Sequence, residues 1–186
     1  SRMIEAFNLP VIARDGWEAD DIIGTLVLCA ESEGFESYLV TPDKDFAQLV
    51  SEKTRLYKPS RMGEWVEILG LPEVLKKWGI TRPAQVADVM GLWGDTSDNI
   101  PGVPGIGEKT AMKLIGEYGS VENLLAHTDE LKGKLRETLE SHREQALLSK
   151  RLATILVDAP IELSLDQLRI REPNDDDLKR LLIEFE

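Results

Sequence analysis

Pro10-Val-Ile-Ala13, Glu18-Ala-Asp-Asp-Ile-Ile-Gly-Thr-Leu-Val-Leu-Cys-Ala-Glu-Ser-Glu33 and Tyr38-Leu-Val-Thr41 form the stretch on which the fold turns. The first is a short apolar run. The second has helical periodicity and stops at Gly34, and the third is a short run rich in strand formers. Strand, helix, strand in that order implies a parallel pair joined by a crossover, hence an α/β, mainly parallel sheet. Moving outward, Phe46 to Val50 reads as one or two helical turns, with strand-like Thr54 to Tyr57 and Trp65 to Ile68 beyond it. From Pro83 the pattern is helical: Ala84 to Trp93, Lys109 to Tyr118, Val121 to Ala126, a long stretch from Leu131 to Val157, and a last helix from Asp175 to Phe185. The expected division is an α/β core over 1–92 and a helical region over 93–186.

Composition narrows the class. The chain has 186 residues, 42% hydrophobic and 30% charged, which suits a globular protein with its own core. No apolar run approaches the ~20 residues that span a bilayer. The start lacks the basic-then-apolar plan of a secretory leader. One cysteine, Cys29, cannot form an internal disulfide, so a reduced, cytoplasmic setting is expected. The net charge of −12 argues against broad phosphate binding, unless some acidic residues form a cation site.

Three acidic clusters bear on that choice. Glu18, Asp20 and Asp21 stand at the start of the first long helix, Asp43 and Asp45 directly follow a strand, and Asp95 and Asp98 follow the helix ending near Trp93. Singly, each has an ordinary reading as a helix cap or an Asx turn. In an α/β sheet, however, chemistry collects outside the carboxyl ends of the strands, where one concave site could hold them all. Seven gathered carboxylates repel severely unless cations sit among them. Oxygen ligands without Cys or His select hard ions, Mg²⁺ or Mn²⁺, and a pair of such ions is the standard device for in-line attack on a phosphodiester.

Gly102-Val-Pro-Gly-Ile-Gly-Glu-Lys-Thr110 is the second constellation. It reads either as a tight connection between helices or as a phosphate clamp. In the clamp, small residues let the backbone approach, the next helix start presents N–H groups, and Lys109, Thr110 and Lys113 add donors. The nucleotide-binding P-loop fails on register, because Glu108 follows Gly107 where that motif needs lysine.

Glu18-Ala-Asp-Asp21, Thr41-Pro-Asp-Lys-Asp45 and Gly94-Asp-Thr-Ser-Asp-Asn-Ile-Pro-Gly-Val-Pro-Gly-Ile-Gly-Glu-Lys-Thr-Ala111, in this order, resemble the 5′-nuclease family of bacterial polymerase I nuclease domains, phage 5′-nucleases and flap endonucleases, and are most similar to its polymerase I branch. The resemblance implies a parallel α/β core with a helical, helix–hairpin–helix extension. It implies metal-dependent cleavage of DNA at 5′ ends and flaps, with Glu18, Asp20, Asp21, Asp43, Asp45, Asp95 and Asp98 lining a two-metal site. Gly102, Val103, Gly105, Ile106, Gly107, Lys109, Thr110 and Lys113 would grip duplex DNA, with a K⁺ at the hairpin in some members. Polymerase domains would follow Glu186. Family members begin with a strand carrying a ligand Asp, a second Asp and a basic arch. Ser1 to Phe7 resembles the end of the helix after that arch, so poor flap cleavage by these residues alone is expected.

The remaining residues are expected to be structural. His127 and His142 read as surface residues, Cys29 as core, and Trp65, Trp78 and Trp93 as core anchors. Lys132, Lys134 and Arg136 read as a solvated helix face or an extension of the hairpin's footprint. The rival functions are a duplex-binding module without catalysis and a ribonuclease of the related PIN type, which lacks the hairpin.

Overall fold

The computed structural model describes residues 2–59, 66–162 and 164–185. It divides into two units, Ser1–Leu26 with Leu156–Glu186, and Val27–Ile155.

In the first unit, helix α1 (Arg2–Ala6) packs against a helix at the other end of the chain, α9 (Asp175–Phe185), burying Ala6 and Leu181. The Asn174 N–H donates to Ala6 O at 2.8 Å, and Arg2 forks onto Glu184 at 2.8 and 2.6 Å. Helix α2 (Ala19–Ser32) begins here. The Thr25 hydroxyl donates to Asp21 O and accepts the Ala159 N–H at 3.0 Å, tying the segment after Leu156 to α2.

The second unit holds a three-stranded sheet in the order β1 (Ser37–Val40), β2 (Thr54–Pro59), β3 (Val66–Leu69). β1 and β2 are parallel, joined by a crossover containing the 3₁₀ helix Asp45–Leu49; β2 and β3 are antiparallel. A parallel pair needs such a crossover, whereas consecutive strands close as a hairpin. Among the described residues the sheet is therefore half parallel and half antiparallel. Glu31 at the end of α2 accepts hydrogen bonds from Ser51 and from the buried Thr54, fixing the start of β2.

Helix α3 (Leu71–Trp78) leads into α4 (Gln85–Trp93), the centre of this unit. Val86, Val89, Met90 and Leu92 of α4 are fully buried. Around it pack the 3₁₀ helix, α5 (Glu108–Tyr118), α6 (Val121–Ala126) and α8 (Arg143–Ala153), with α7 (Gly133–Ser141) against α8. α4 and α8 approach so closely that a Cβ on Gly91 would lie 2.7 Å from Lys150 Cβ. Lys150 stands 2.6 Å from both Asp88 and Glu122, and Asp88 also accepts the Val121 N–H at 2.9 Å. One ammonium thus binds α4, α6 and α8 together.

Three expectations need correcting. Pro10 to Ala13 is not a strand: it has no ladder partner among the described residues, Val11 is 68% exposed, and Pro10 has no N–H to donate. The first acidic cluster therefore does not leave a strand of this sheet. Helix α3 lay in a stretch given no assignment, and the stretch from Leu131 to Val157 divides at His142 into α7 and α8. Cys29 is exposed, since α2 buries its earlier turns and then only Val27. Trp78 is buried and Trp93 half-buried, whereas Trp65 lies outside the described residues. No described helix is long and apolar enough to cross a membrane.

Candidate metal centre

The segment after β1 turns sharply because its side chains cap its own backbone. Thr41 Oγ1 accepts the Asp43 N–H at 3.1 Å, and Asp43 Oδ1 accepts the Asp45 N–H at 3.0 Å. These local turns open the 3₁₀ helix and direct Asp45 inward, where its residue is only 7% exposed. Asp95 is set by a second device. After α4 the chain reverses through a two-bond bridge in which Asp95 and Ile100 exchange N–H and C=O at 2.8 Å each way. The Ser97 N–H, at 2.9 Å, and the Ser97 hydroxyl both donate to Asp95 Oδ1. Asp98 stands exposed in that turn.

Carboxylate oxygens of Asp45, Asp95 and Asp98 lie within 4.8 Å of one another, with Asp43 beside Asp45. Asp45 Oδ1 is buried and has no hydrogen-bond partner. A buried acceptor left unmade is costly, and a carboxylate oxygen more so. Burial, and then the neighbouring Asp43 charge, push the Asp45 carboxyl up to about 7. Asp95 goes the opposite way. Burial would raise it, but hydrogen bonds from the Lys44 ammonium and from Ser97 hold it below the usual carboxylate range. An orphaned buried oxygen inside an oxygen-only donor set fits a cation, and the cluster can hold a metal ion.

Glu18, Asp20 and Asp21 stand in the first unit at the start of α2. The Glu18 carbonyl accepts the Ile22 N–H at 3.2 Å, Asp20 and Asp21 occupy the first turn, and Asp21 Oδ1 accepts the Leu156 N–H at 2.8 Å. The structure thus brings Asp43, Asp45, Asp95 and Asp98 together within the second unit, and gives Asp21 an anchoring contact.

The glycine hairpin is built on a buried base. Ile100, Val103 and Ile106 are all buried. Gly102 adopts φ +59°, and a Cβ there would lie 2.4 Å from Gly94 N. Its N–H donates to Ser149 Oγ at 3.0 Å and its carbonyl accepts Gln145 Nε2 at 2.7 Å. The Val103 N–H goes to Leu92 O and the Ile106 N–H to Val103 O. Gly102, Val103 and Ile106, expected to touch DNA, therefore spend their donors inside the protein and form the hairpin's foundation. Gly105, Gly107, Lys109, Thr110 and Lys113 are exposed, and Gly107 opens α5 without a side-chain cap. Sequence reasoning passed over Lys44, Ser97, Gln145 and Ser149. Lys44 and Ser97 carried local signals, one by its place between two aspartates and the other by standing two residues after Asp95.

Together the small sheet, the acidic cluster and the hairpin define a resolvase-like α/β core carrying a helical extension. A family model described as "5'-3' exonuclease, C-terminal SAM fold" matches residues 81–176, and one described as "5'-3' exonuclease, N-terminal resolvase-like domain" matches residues 1–79. The chain belongs to the 5′-3′ exonuclease family. It is 51% identical to DNA polymerase I of Bacillus caldotenax over 89% of its length, and 42% identical to DNA polymerase I of Caldicellulosiruptor bescii over 99%. It spans 19% and 22% of those two proteins, about a fifth of each. Among solved structures, a bacteriophage T5 5′-exonuclease with bound zinc superposes with a TM-score of 0.67 at 25% identity, over 93% of this chain and 62% of that one. The catalytic core of Rad2 in complex with a DNA substrate superposes with a TM-score of 0.64 at 20% identity, over 98% of this chain and 61% of that one, a likeness of fold.

Proposed function

We infer that this chain is the nuclease portion of a DNA polymerase I, cutting DNA at 5′ ends and flaps with divalent ions held by its carboxylates. The observation that carries the reading is the buried Asp45 carboxylate, whose Oδ1 no hydrogen bond satisfies, gathered with Asp95 and Asp98. Mg²⁺ or Mn²⁺ is the ion such a set selects. When bound, these ions supply charge neutralisation and Lewis acidity for in-line attack on a phosphodiester.

The protein's own part is positional. Asp43 and Ser97 fix Asp45 and Asp95 through backbone and hydroxyl contacts, so the oxygens are set before an ion arrives. Glu18, Asp20 and Asp21 enter the proposal as further ligands through family resemblance. The exposed hairpin residues Gly105, Gly107, Lys109, Thr110 and Lys113 would hold the duplex through phosphates, and K⁺ at the hairpin belongs to the same reading. The T5 exonuclease with zinc and the Rad2 core with DNA support it by analogy.

Flap-cleavage assays on the longer natural protein containing this chain test the proposal, comparing the parent with Asp95→Asn with and without Mg²⁺. Mg²⁺-dependent incision in the parent and a loss of at least about 10²-fold in the variant are expected. Equal incision by both would reject it, and duplex binding without incision would favour the non-catalytic reading.

A further inference from the structure

Lys44 separates the two aspartates that follow β1, and its ammonium lies inside the carboxylate cluster. It donates to Asp95 Oδ2, stands 3.8 Å from Asp45 Oδ1, and sits 5.6 Å from the centroid of the Trp93 ring. Its side chain is 35% exposed, so it is reached by solvent as well as by the carboxylates. Asp45 and Asp95 are the buried members of the group whose oxygens lie within 4.8 Å of one another. The ammonium therefore engages two of the three carboxylates that a divalent ion would need. A lysine suits such a place better than an arginine, because its compact charge sits on a flexible stem and can swing away without leaving a rigid fork unsatisfied.

We propose that Lys44 is the resident cation of the metal-free site: it neutralises the cluster, is displaced by the incoming divalent ion, and thereby sets the metal affinity. The inference rests on the metal reading of the cluster. It makes two demands in opposite directions. Removing the ammonium should tighten metal binding, since the ion no longer competes with a charge for the same oxygens. It should also weaken the metal-free fold, since Asp43, Asp45, Asp95 and Asp98 then face one another without the ammonium among them.

The test compares the parent with Lys44→Met, Lys44→Arg and Lys58→Met. Lys58 donates to Pro42 O at 3.3 Å and serves as a nearby cation outside the cluster. Mn²⁺ affinity is measured by calorimetry and the unfolding midpoint by thermal melting in EDTA. Lys44→Met should bind Mn²⁺ at least about fivefold tighter, the effect of one unit charge at ~4 Å even under bulk-water screening. It should melt about 2–4 °C lower in EDTA, with the gap closing as Mn²⁺ is added. Lys44→Arg should bind no tighter than the parent, and Lys58→Met should change affinity less than Lys44→Met.

Unchanged or weaker Mn²⁺ binding by Lys44→Met overturns the proposal while leaving the metal site standing. So does an equal gain in Lys58→Met, which would reduce the effect to overall charge. If neither the parent nor Lys44→Met binds Mn²⁺, the metal reading falls with it. Should Lys44→Met fail to fold, the parent still decides the matter. Mg²⁺ titration must shift the Lys44 ε-CH₂ resonance in its NMR spectrum, and an unmoved resonance at saturation rejects displacement.

Discussion

Asp45→Asn removes one charge from a buried carboxylate of the cluster while keeping its shape, and the structure sets the size of the effect. Asp45 is raised from 3.8 to about 7 by burial and by Asp43. A group whose folded pKa lies above its unfolded value keeps its proton longer in the native state, so stability falls as pH rises from about 4 to about 7. The gap between 3.8 and about 7, at 1.36 kcal/mol per pH unit, amounts to about 4 kcal/mol lost by pH 8 in the metal-free protein. Asparagine cannot ionise and escapes that loss. In EDTA at pH 8, urea denaturation should show Asp45→Asn about 2–4 kcal/mol more stable than the parent, the lower figure allowing for relaxation around Lys44. At pH 4 the two should nearly coincide. The same variant should lose most of its Mn²⁺ affinity. A variant no more stable than the parent at pH 8, or equally stabilised at pH 4 and pH 8, would refute the reasoning.

Other positions give further outcomes. Lys109→Ala should weaken binding to duplexes of any sequence and lower the salt slope by about 1, read by fluorescence anisotropy across a salt series; an unchanged slope would make the hairpin a structural turn only. Gly102→Ala should cost about 3 kcal/mol or more in urea denaturation, because φ is +59° and the new Cβ would meet Gly94 N at 2.4 Å. Val40, 67% exposed on β1, the edge strand among the described residues, should drive self-association, so Val40→Lys should lower the apparent mass in concentration-dependent sedimentation.

How much was legible beforehand follows from the physics of each signal. The helices from Gln85 onward announced themselves through apolar periodicity, and Asp43, Asp45, Asp95 and Asp98 through their place after a strand and a helix. The strand assigned to Pro10–Ala13 failed because an apolar run does not reveal whether a neighbour exists to pair with it. Cys29 misled for a related reason, since periodicity marks a helix but not which of its turns is covered. Gly102 was recognised as special, yet its partners Gln145 and Ser149 lie more than 40 positions away, at separations of 43 and 47, beyond any local pattern. The turns of Asp43 onto Asp45 and of Ser97 onto Asp95 are local, and match the cap and Asx-turn readings that these clusters have in the sequence.

Catalysis and the role of Lys44 both require that Asp45, Asp95 and Asp98 hold a divalent cation. Crystals of the chain soaked in Mn²⁺ and measured near the manganese absorption edge answer that directly. The account predicts an anomalous peak roughly 2.0–2.3 Å from oxygens of these three residues, with the Lys44 ammonium withdrawn, and no such peak in Asp45→Asn. A peak at some other surface carboxylate, or a well-ordered Lys44–Asp95 pair with no manganese beside it at saturating Mn²⁺, would contradict it.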